Sequence, residues 1–173
     1  MKDILERAAR VRLLIFDVDG VLTDGSLYVG DDGQEYKAFN SKDGHGINML
    51  RKYGVEMAVI TGRTSQVVRH RMENLGIVHV YQGQLDKVPP FEDLLHTLGI
   101  TAEEAAYVGD DVVDLPVMRR VGLAIAVRDA HPFVCQHAHW QTPSRGGRGA
   151  VRDVCELLLE ARGKLREELE SYL

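Results

Sequence analysis

Only two cysteines, Cys135 and Cys155, occur in the 173 residues, and they form no C-x-x-C pair. That scarcity argues against a disulfide framework and against a cysteine-based zinc site, leaving buried structural thiols as the plain reading. No apolar run approaches the roughly 18 residues a membrane span needs. The start, MKDILERAARVRLLIF, mixes charges of both signs and has no small-residue cleavage site after an apolar run. A signal peptide is therefore not expected, and a cytoplasmic location is. Positive charge is not in excess either: the formal net charge is −5. A nucleic-acid partner, which calls for a basic stripe, is disfavoured on that ground. Repeats and low-complexity tracts are missing as well.

What is present is enough apolar material, 45% of the chain, to give one domain over residues 1–173 a full core. Short apolar runs alternate with helix-length amphipathic segments. Residues 11–16, 55–60, 77–81, 105–108 and 122–127 read as buried strands, bounded by turn residues. Segments 43–53, 64–75, 86–98 and 111–120 read as helices, and Thr101 followed by Glu103 and Glu104 reads as a further helix start. Such alternation predicts an α/β fold: a doubly wound, Rossmann-like parallel sheet covered on both faces. One stretch breaks it. Residues 26–39, with Asp31-Asp32-Gly33 between alternating apolar residues, read as a β-hairpin following the first strand. After a glycine-rich segment at 143–149, apolar residues Val151, Val154, Leu158, Ala161, Leu165 and Leu169 recur at helical spacing, interrupted at Gly163. That helix is expected to pack on its own domain, with a subunit contact as the alternative.

In a doubly wound sheet, ligands bind at the carboxyl ends of the strands. There the sequence places Asp17-Val18-Asp19-Gly20, then Thr61-Gly62-Arg63, then Lys87, then Gly109-Asp110-Asp111 with Asp114. Carboxylates gathered at one edge repel each other unless a cation sits among them, and an all-oxygen set suits Mg²⁺. Phosphoryl transfer requires an in-line nucleophile, charge neutralisation and a proton donor for the leaving group. These residues supply all three. Asp17 is the candidate nucleophile and Asp19 the candidate acid and base. Thr61, with neighbouring backbone N–H groups, would hold phosphate oxygens; Lys87 would neutralise the phosphoryl group; Asp110 would complete the metal site.

The four motifs, in this order and each after a predicted strand, resemble the haloacid dehalogenase superfamily of phosphatases. The resemblance implies that Asp17 is the nucleophile and Asp19 the acid/base. It implies metal ligation by Asp17, by the backbone carbonyl of Asp19 and by Asp110. Asp111 and Asp114 would position ligands and Lys87. Larger members insert a cap domain between motifs. Here the stretch from Asp19 to Thr61 holds only the hairpin and one helix, and that from Thr61 to Lys87 only one βα unit, so no cap domain is expected.

FDVDGVLTDG, the segment Phe39 to Ile47, ITGR, YQGQ-x-x-K and Gly146–Arg152 resemble a capless branch that dephosphorylates 3-deoxy-D-manno-octulosonate 8-phosphate in lipopolysaccharide biosynthesis. That branch is tetrameric, with a tail that reaches a neighbouring active site, so a homo-oligomer, a tetramer in the branch's manner, is implied. A small-molecule sugar acid phosphate carries a carboxylate, which arginine binds bidentately. Arg63 and Arg71 lie about two turns apart on the predicted helix, so one face can hold both. With Thr61, Gly62 and Lys87 they make up the candidate substrate site, and Arg148 would close it from the tail. The related alternative is a nine-carbon keto sugar acid 9-phosphate.

Other residues invite plainer readings. Asp24 is either a turn residue or part of the site. Cys135, His137 and His139 lack the further ligands a zinc site needs, His70 reads as exposed, and Gly25, Gly30 and Gly33 make no nucleotide loop. A receiver-type phospho-aspartate module would share the sandwich, the Mg²⁺ and a lysine. It would place its acceptor after the third strand, where this sequence has Gln82-Gly83-Gln84 and no aspartate. A nucleic-acid end phosphatase is disfavoured by the net charge.

Overall fold

A computed structural model describes all 173 residues. The chain opens with helix α1 (Lys2–Arg10) and strand β1 (Leu13–Phe16), followed by the hairpin strands β2 (Tyr28–Val29) and β3 (Glu35–Tyr36). Next come α2 (Ser41–Arg51), β4 (Glu56–Ile60), α3 (Gln66–Leu75), β5 (His79–Tyr81) and α4 (Val88–Leu98). The second half holds β6 (Ala105–Gly109), α5 (Leu115–Met118), β7 (Leu123–Ala126), α6 (Pro132–His137), β8 (Trp140–Gln141), α7 (Ala150–Ala161) and α8 (Leu165–Glu170).

Six strands form one parallel sheet in the order β5-β4-β1-β6-β7-β8. β1 is central, and all four of its side chains are buried, because helices cover both faces of the sheet. From β1 the chain winds outward through β4 to β5, then returns to lay β6 on the other side of β1. That reversal opens a crevice beyond the carboxyl ends of β1 and β6, where a doubly wound sheet binds ligands. The predicted architecture is thus the one observed, hairpin included. The hairpin is minimal, two residues per strand, with Tyr28 opposite Tyr36 and Val29 opposite Glu35.

Several boundaries move for local reasons. The predicted helix 111–120 is replaced by a 3₁₀ turn, Val112–Asp114, and the short α5. Pro116 cannot donate an N–H and crowds the carbonyl four residues back, so a continuous helix from 111 is barred. The segment after Thr101 is likewise one 3₁₀ turn, Ala102–Glu104, closed by a capping box between Thr101 and Glu104. Helix α3 starts at Gln66 rather than 64, because Ser65 is extended and its N–H donates to Gln82 Oε1 at 2.7 Å. Arg63 therefore lies in the loop before the helix, and the shared helical face expected for Arg63 and Arg71 does not form. Helix α2 starts at 41, where Asn40 Oδ1 accepts from the N–H of Lys42. Helices α1 and α6 and the two-residue edge strand β8 were not anticipated; α1 buries only Ile4 and Ala8, too thin a stripe to announce itself.

The C-terminal helix breaks at Gly163 (φ 65°), as its position in the pattern predicts. Helix α7 packs on α1 and α2 and buries Val151, Val154 and Leu158 completely. Each such side chain contributes about 1.5–3 kcal/mol. Leu169 instead stays 43% exposed. The glycine-rich segment before α7 is tied down at each turn. Gly146 N–H donates to Asp129 and Gly147 N–H to the Val21 carbonyl, both near 2.9 Å or closer. The buried Asp43 of α2 accepts from the N–H of Arg152 at 2.9 Å.

Candidate active site

The site is built from loops that leave β1, β4, β5 and β6. After Phe16 the chain turns tightly: the Val18 carbonyl accepts from the N–H groups of Val21, Leu22 and Thr23. Thr23 Oγ1 then accepts from Gly25 N–H at 3.1 Å and closes the loop. Gly20, at φ 93°, sits so close to Asp110 that a Cβ would fall 2.0 Å from Asp110 Oδ2. Only glycine lets the loops after β1 and β6 approach this far.

Asp17, Asp19, Thr61, Gly62, Arg63, Lys87, Asp110 and Asp111 line one cleft of about 210 Å³. Seven of the nine residues singled out as candidate ligands or catalysts are therefore neighbours in space. Lys87 is its hub. Its side chain is 2% exposed, and Nζ lies 3.1 Å from Asp17 Oδ1 and 2.7 Å from Asp114 Oδ1. Tyr107, fully buried in β6, donates its hydroxyl to Asp114 Oδ1 at 2.7 Å and accepts from Lys87 at 3.1 Å. Asp114 Oδ2 accepts the backbone N–H groups of Asp110 and Asp111 at 3.0 and 3.2 Å.

These contacts decide which carboxylates are free. One oxygen from each of Asp17, Asp110 and Asp114 lies within 4.8 Å of the other two, the spacing of a cation site. Asp114, however, already accepts four hydrogen bonds and has no lone pair to spare. Asp110 Oδ1, by contrast, is buried with no partner. The free set is Asp17 and Asp110, with Asp114 holding Lys87 and the loop. An all-oxygen set with an orphaned buried carboxylate oxygen fits Mg²⁺.

The electrostatics say the same. Burial, then the charge of Asp114, pushes the Asp17 carboxyl up to about 6 despite the opposing Lys87. Burial, then Asp114 and Asp17, pushes Asp110 up to about 8. Lys87 alone does not offset this crowding of carboxyls, whereas a further cation between Asp17 and Asp110 would. Burial works against the charge on Lys87, but Asp114 and Asp17 outweigh it and raise its pKa, so it remains an ammonium. Tyr107 is raised well above its ordinary value by burial and stays a neutral donor.

Three residues invisible to the sequence reading complete the picture. Tyr107 is one; a tyrosine inside an otherwise aliphatic strand was the available signal, because a buried hydroxyl needs a partner. The others are Glu35 and Lys37, at the hairpin base. Lys37 Nζ lies 2.5 Å from Asp19 Oδ1 and 3.4 Å from Glu35 Oε1, and Arg63 reaches Glu35 at 2.8 Å. Burial opposes ionisation of Glu35, but the hydrogen bond from Arg63 and the charge of Lys37 prevail and hold its pKa low. Arg63 also borders a second cleft of about 610 Å³ between the hairpin and the start of α3.

Arg71 and Arg148 lie outside the cleft in this chain. Arg71 lies over the Phe39 ring, 5.7 Å from its centroid, and its Nε is buried without a partner. Arg148 is 68% exposed and pairs at 3.1 Å with Asp24, which also accepts from Ser26 N–H. The tail segment packs on its own nucleophile loop: a Cβ on Gly147 would fall 2.3 Å from the Thr23 carbonyl carbon. His137 and His139 each bond a backbone group through Nδ1, and Cys135 contacts the Ala130 carbonyl and Gln141, so no soft-metal cluster forms. His70 is exposed.

A family model described as haloacid dehalogenase-like hydrolase matches residues 74–153. The sequence is 53% identical to the 3-deoxy-D-manno-octulosonate 8-phosphate phosphatase of Escherichia coli (strain K12), covering 95% of this chain and 88% of that one. Among solved structures, the phosphatase of that name from Yersinia pestis aligns with a TM-score of 0.94 at 51% identity, over 95% of this chain and 89% of that one. The Moraxella catarrhalis phosphatase of the same name, in complex with magnesium ion, phosphate ion and a KDO molecule, aligns with a TM-score of 0.98 at 38% identity, over 100% and 99% of the two chains.

Proposed function

Because this chain belongs to the haloacid dehalogenase-like hydrolases, we propose that it hydrolyses 3-deoxy-D-manno-octulosonate 8-phosphate to the free sugar acid and phosphate. The cofactor is Mg²⁺, and the reaction is a step of lipopolysaccharide biosynthesis. The observation that carries this reading is the buried pair of Asp17 and Lys87 at 3.1 Å, in one cleft with Asp19 and Asp110.

Asp17 and Asp110, with the backbone carbonyl of Asp19, would hold the metal. When bound, Mg²⁺ offsets the carboxylate charges and draws off charge from the phosphoryl oxygens. Asp17 attacks phosphorus as the bond to the sugar oxygen breaks, and Asp19 gives that oxygen its proton. Water then attacks the aspartyl phosphate, loses a proton to Asp19, and frees phosphate and Asp17. Lys87, fixed by Asp114 and Tyr107, stays charged beside Asp17 and the arriving phosphoryl group. Because it is already oriented, no reorganisation accompanies the reaction. Thr61 and Gly62, at the end of β4, offer a hydroxyl and an N–H to phosphate oxygens. Arg63, half exposed at the rim, binds the carboxylate or hydroxyls of the sugar acid.

The rim is incomplete in one chain. Leu27, Tyr28, Val29 and Tyr36 of the hairpin are each about half exposed or more, more apolar surface than a lone hairpin usually shows water. A homo-oligomer, a tetramer as the branch resemblance implies, covers this hairpin and supplies the enclosure that a cap domain gives larger relatives. In it Arg71 and Arg148 take their substrate roles across a subunit boundary. No helix is long and apolar enough to cross a membrane, and the enzyme works in the cytoplasm.

The test is phosphate release with Mg²⁺ from 3-deoxy-D-manno-octulosonate 8-phosphate, a nine-carbon keto acid 9-phosphate, hexose phosphates and p-nitrophenyl phosphate. The expected result is the highest kcat/KM on the eight-carbon acid. Preference for the nine-carbon acid would reassign the substrate and leave the chemistry, whereas no release from any of them would end the phosphatase reading.

A further inference from the structure

Lys37 follows β3 and turns inward, so that its side chain is 0% exposed. Dehydrating an ammonium is costly, and it is tolerated where specific partners receive it. Here the partners are Asp19 Oδ1 at 2.5 Å and Glu35 Oε1 at 3.4 Å. Glu35 is itself fixed from the far side by Arg63. The consequence falls on Asp19, whose two oxygens become unequal. Oδ1 is anchored, whereas Oδ2 is buried and has no partner in the chain.

We propose that Lys37 is a positioning residue for Asp19. It fixes Oδ1, and so leaves Oδ2 as the oxygen that hands the proton to the leaving sugar oxygen and takes one from the attacking water. The inference rests on the reading of Asp19 as acid and base given above. The protons balance over the cycle: Oδ2 loses one as the bond from phosphorus to the sugar oxygen breaks and Asp17 bonds to phosphorus. It regains one as water bonds to phosphorus and Asp17 leaves. When Oδ2 carries the proton, Oδ1 still accepts from Lys37, so the anchor holds through both halves. Lys37 touches neither substrate nor reacting atoms. Its contribution is geometric, the kind in which a displacement of about 1 Å costs on the order of 10²-fold in rate.

A lysine that merely neutralises the hairpin base would affect all substrates alike, and leaving-group chemistry separates the two roles. A sugar alkoxide must be protonated as it leaves, whereas p-nitrophenolate need not be. The experiment compares kcat/KM, which reports steps through loss of the leaving group, for wild type, Lys37→Met and Lys37→Arg in the full chain with Mg²⁺. Lys37→Met is expected to lose about 10²-fold on the sugar acid phosphate and under about 10-fold on p-nitrophenyl phosphate. Lys37→Arg is expected to recover part of the difference. In addition, Asp19→Asn with Lys37→Met is expected to be no slower than Asp19→Asn alone, because the two act as one unit. Equal losses on both substrates, or fully additive losses in the double variant, would overturn the inference while leaving the proposed function intact. A wild type that hydrolyses neither substrate would overturn both. Should Lys37→Met not fold, Lys37→Gln, which keeps a donor for Asp19 without the charge, is put through the same comparison.

Discussion

The strand-end network and the hairpin rim face each other across one cleft, yet they satisfy their charges differently. Around Asp114, each polar atom of the carboxylate has a partner within the chain, and Lys87 and Tyr107 are locked by it. At the rim, Arg63 and Arg148 are half exposed or more, and their ion-pair partners sit at the water boundary. The first region must hold charge in place during a reaction, so the fold buries it and completes it locally. The second must admit a substrate, and it exposes apolar hairpin residues that only another surface can cover. Lys37 bridges the two, enclosed like Lys87 but carried by the rim.

That contrast is sharpest if the regions fail differently. Asp17→Asn is expected to lower turnover on every phosphate by roughly 10³-fold or more, with the melting temperature of the metal-free protein unchanged or raised, since a desolvated charge is removed. Wild-type hydrolysis by this variant would take the nucleophile role from Asp17 and dissolve the distinction. Arg63→Ala is expected to raise KM for the sugar acid phosphate by about 10–100-fold, while kcat/KM on p-nitrophenyl phosphate changes by less than about 3-fold. If both substrates suffer equally, Arg63 belongs to the chemistry and the rim has been drawn in the wrong place.

The smallest expected effect concerns metal and pH. Asp17 and Asp110 have folded pKa values raised to about 6 and about 8 from an ordinary 3.8. The folded, metal-free protein therefore binds more protons than the unfolded chain between these values, and stability is lost as pH rises from about 4 through about 8. Saturating Mg²⁺ is expected to raise the melting temperature by roughly 5 °C near pH 8, and by much less near pH 5.5, where protons compete for the same oxygens. Differential scanning fluorimetry measures this directly. A shift that does not grow with pH would mean that the cation is not seated on Asp17 and Asp110.

Legibility in the sequence followed the same division. Asp17, Thr61 and Asp110 could be read because each follows a strand directly, and Lys87 because it ends the loop between β5 and α4; the sheet fixes where strand ends go. Tyr107 was hidden only by sitting inside a strand. Glu35 and Lys37 were out of reach: in the sequence they look like the polar residues of a solvated hairpin, and nothing local says that the hairpin folds back onto Asp19. Arg71 shows the converse error. Helical spacing places two residues on one face, but it does not say which way the face turns or where the helix starts. Here Ser65 delays the start, and the Arg71 side chain turns onto Phe39 beside α2.

By itself, then, the sequence determined the parallel sandwich, the hairpin, and the set of groups delivered to one edge. These depend on periodicity, turn residues and strand order, all of them properties of short segments. Only the tertiary structure decided which carboxylates stay free for a cation, which lysine anchors Asp19, and that the glycine-rich tail clasps its own nucleophile loop. Those outcomes depend on competition for hydrogen bonds among residues far apart in the chain, and such competition is settled only when the segments pack together.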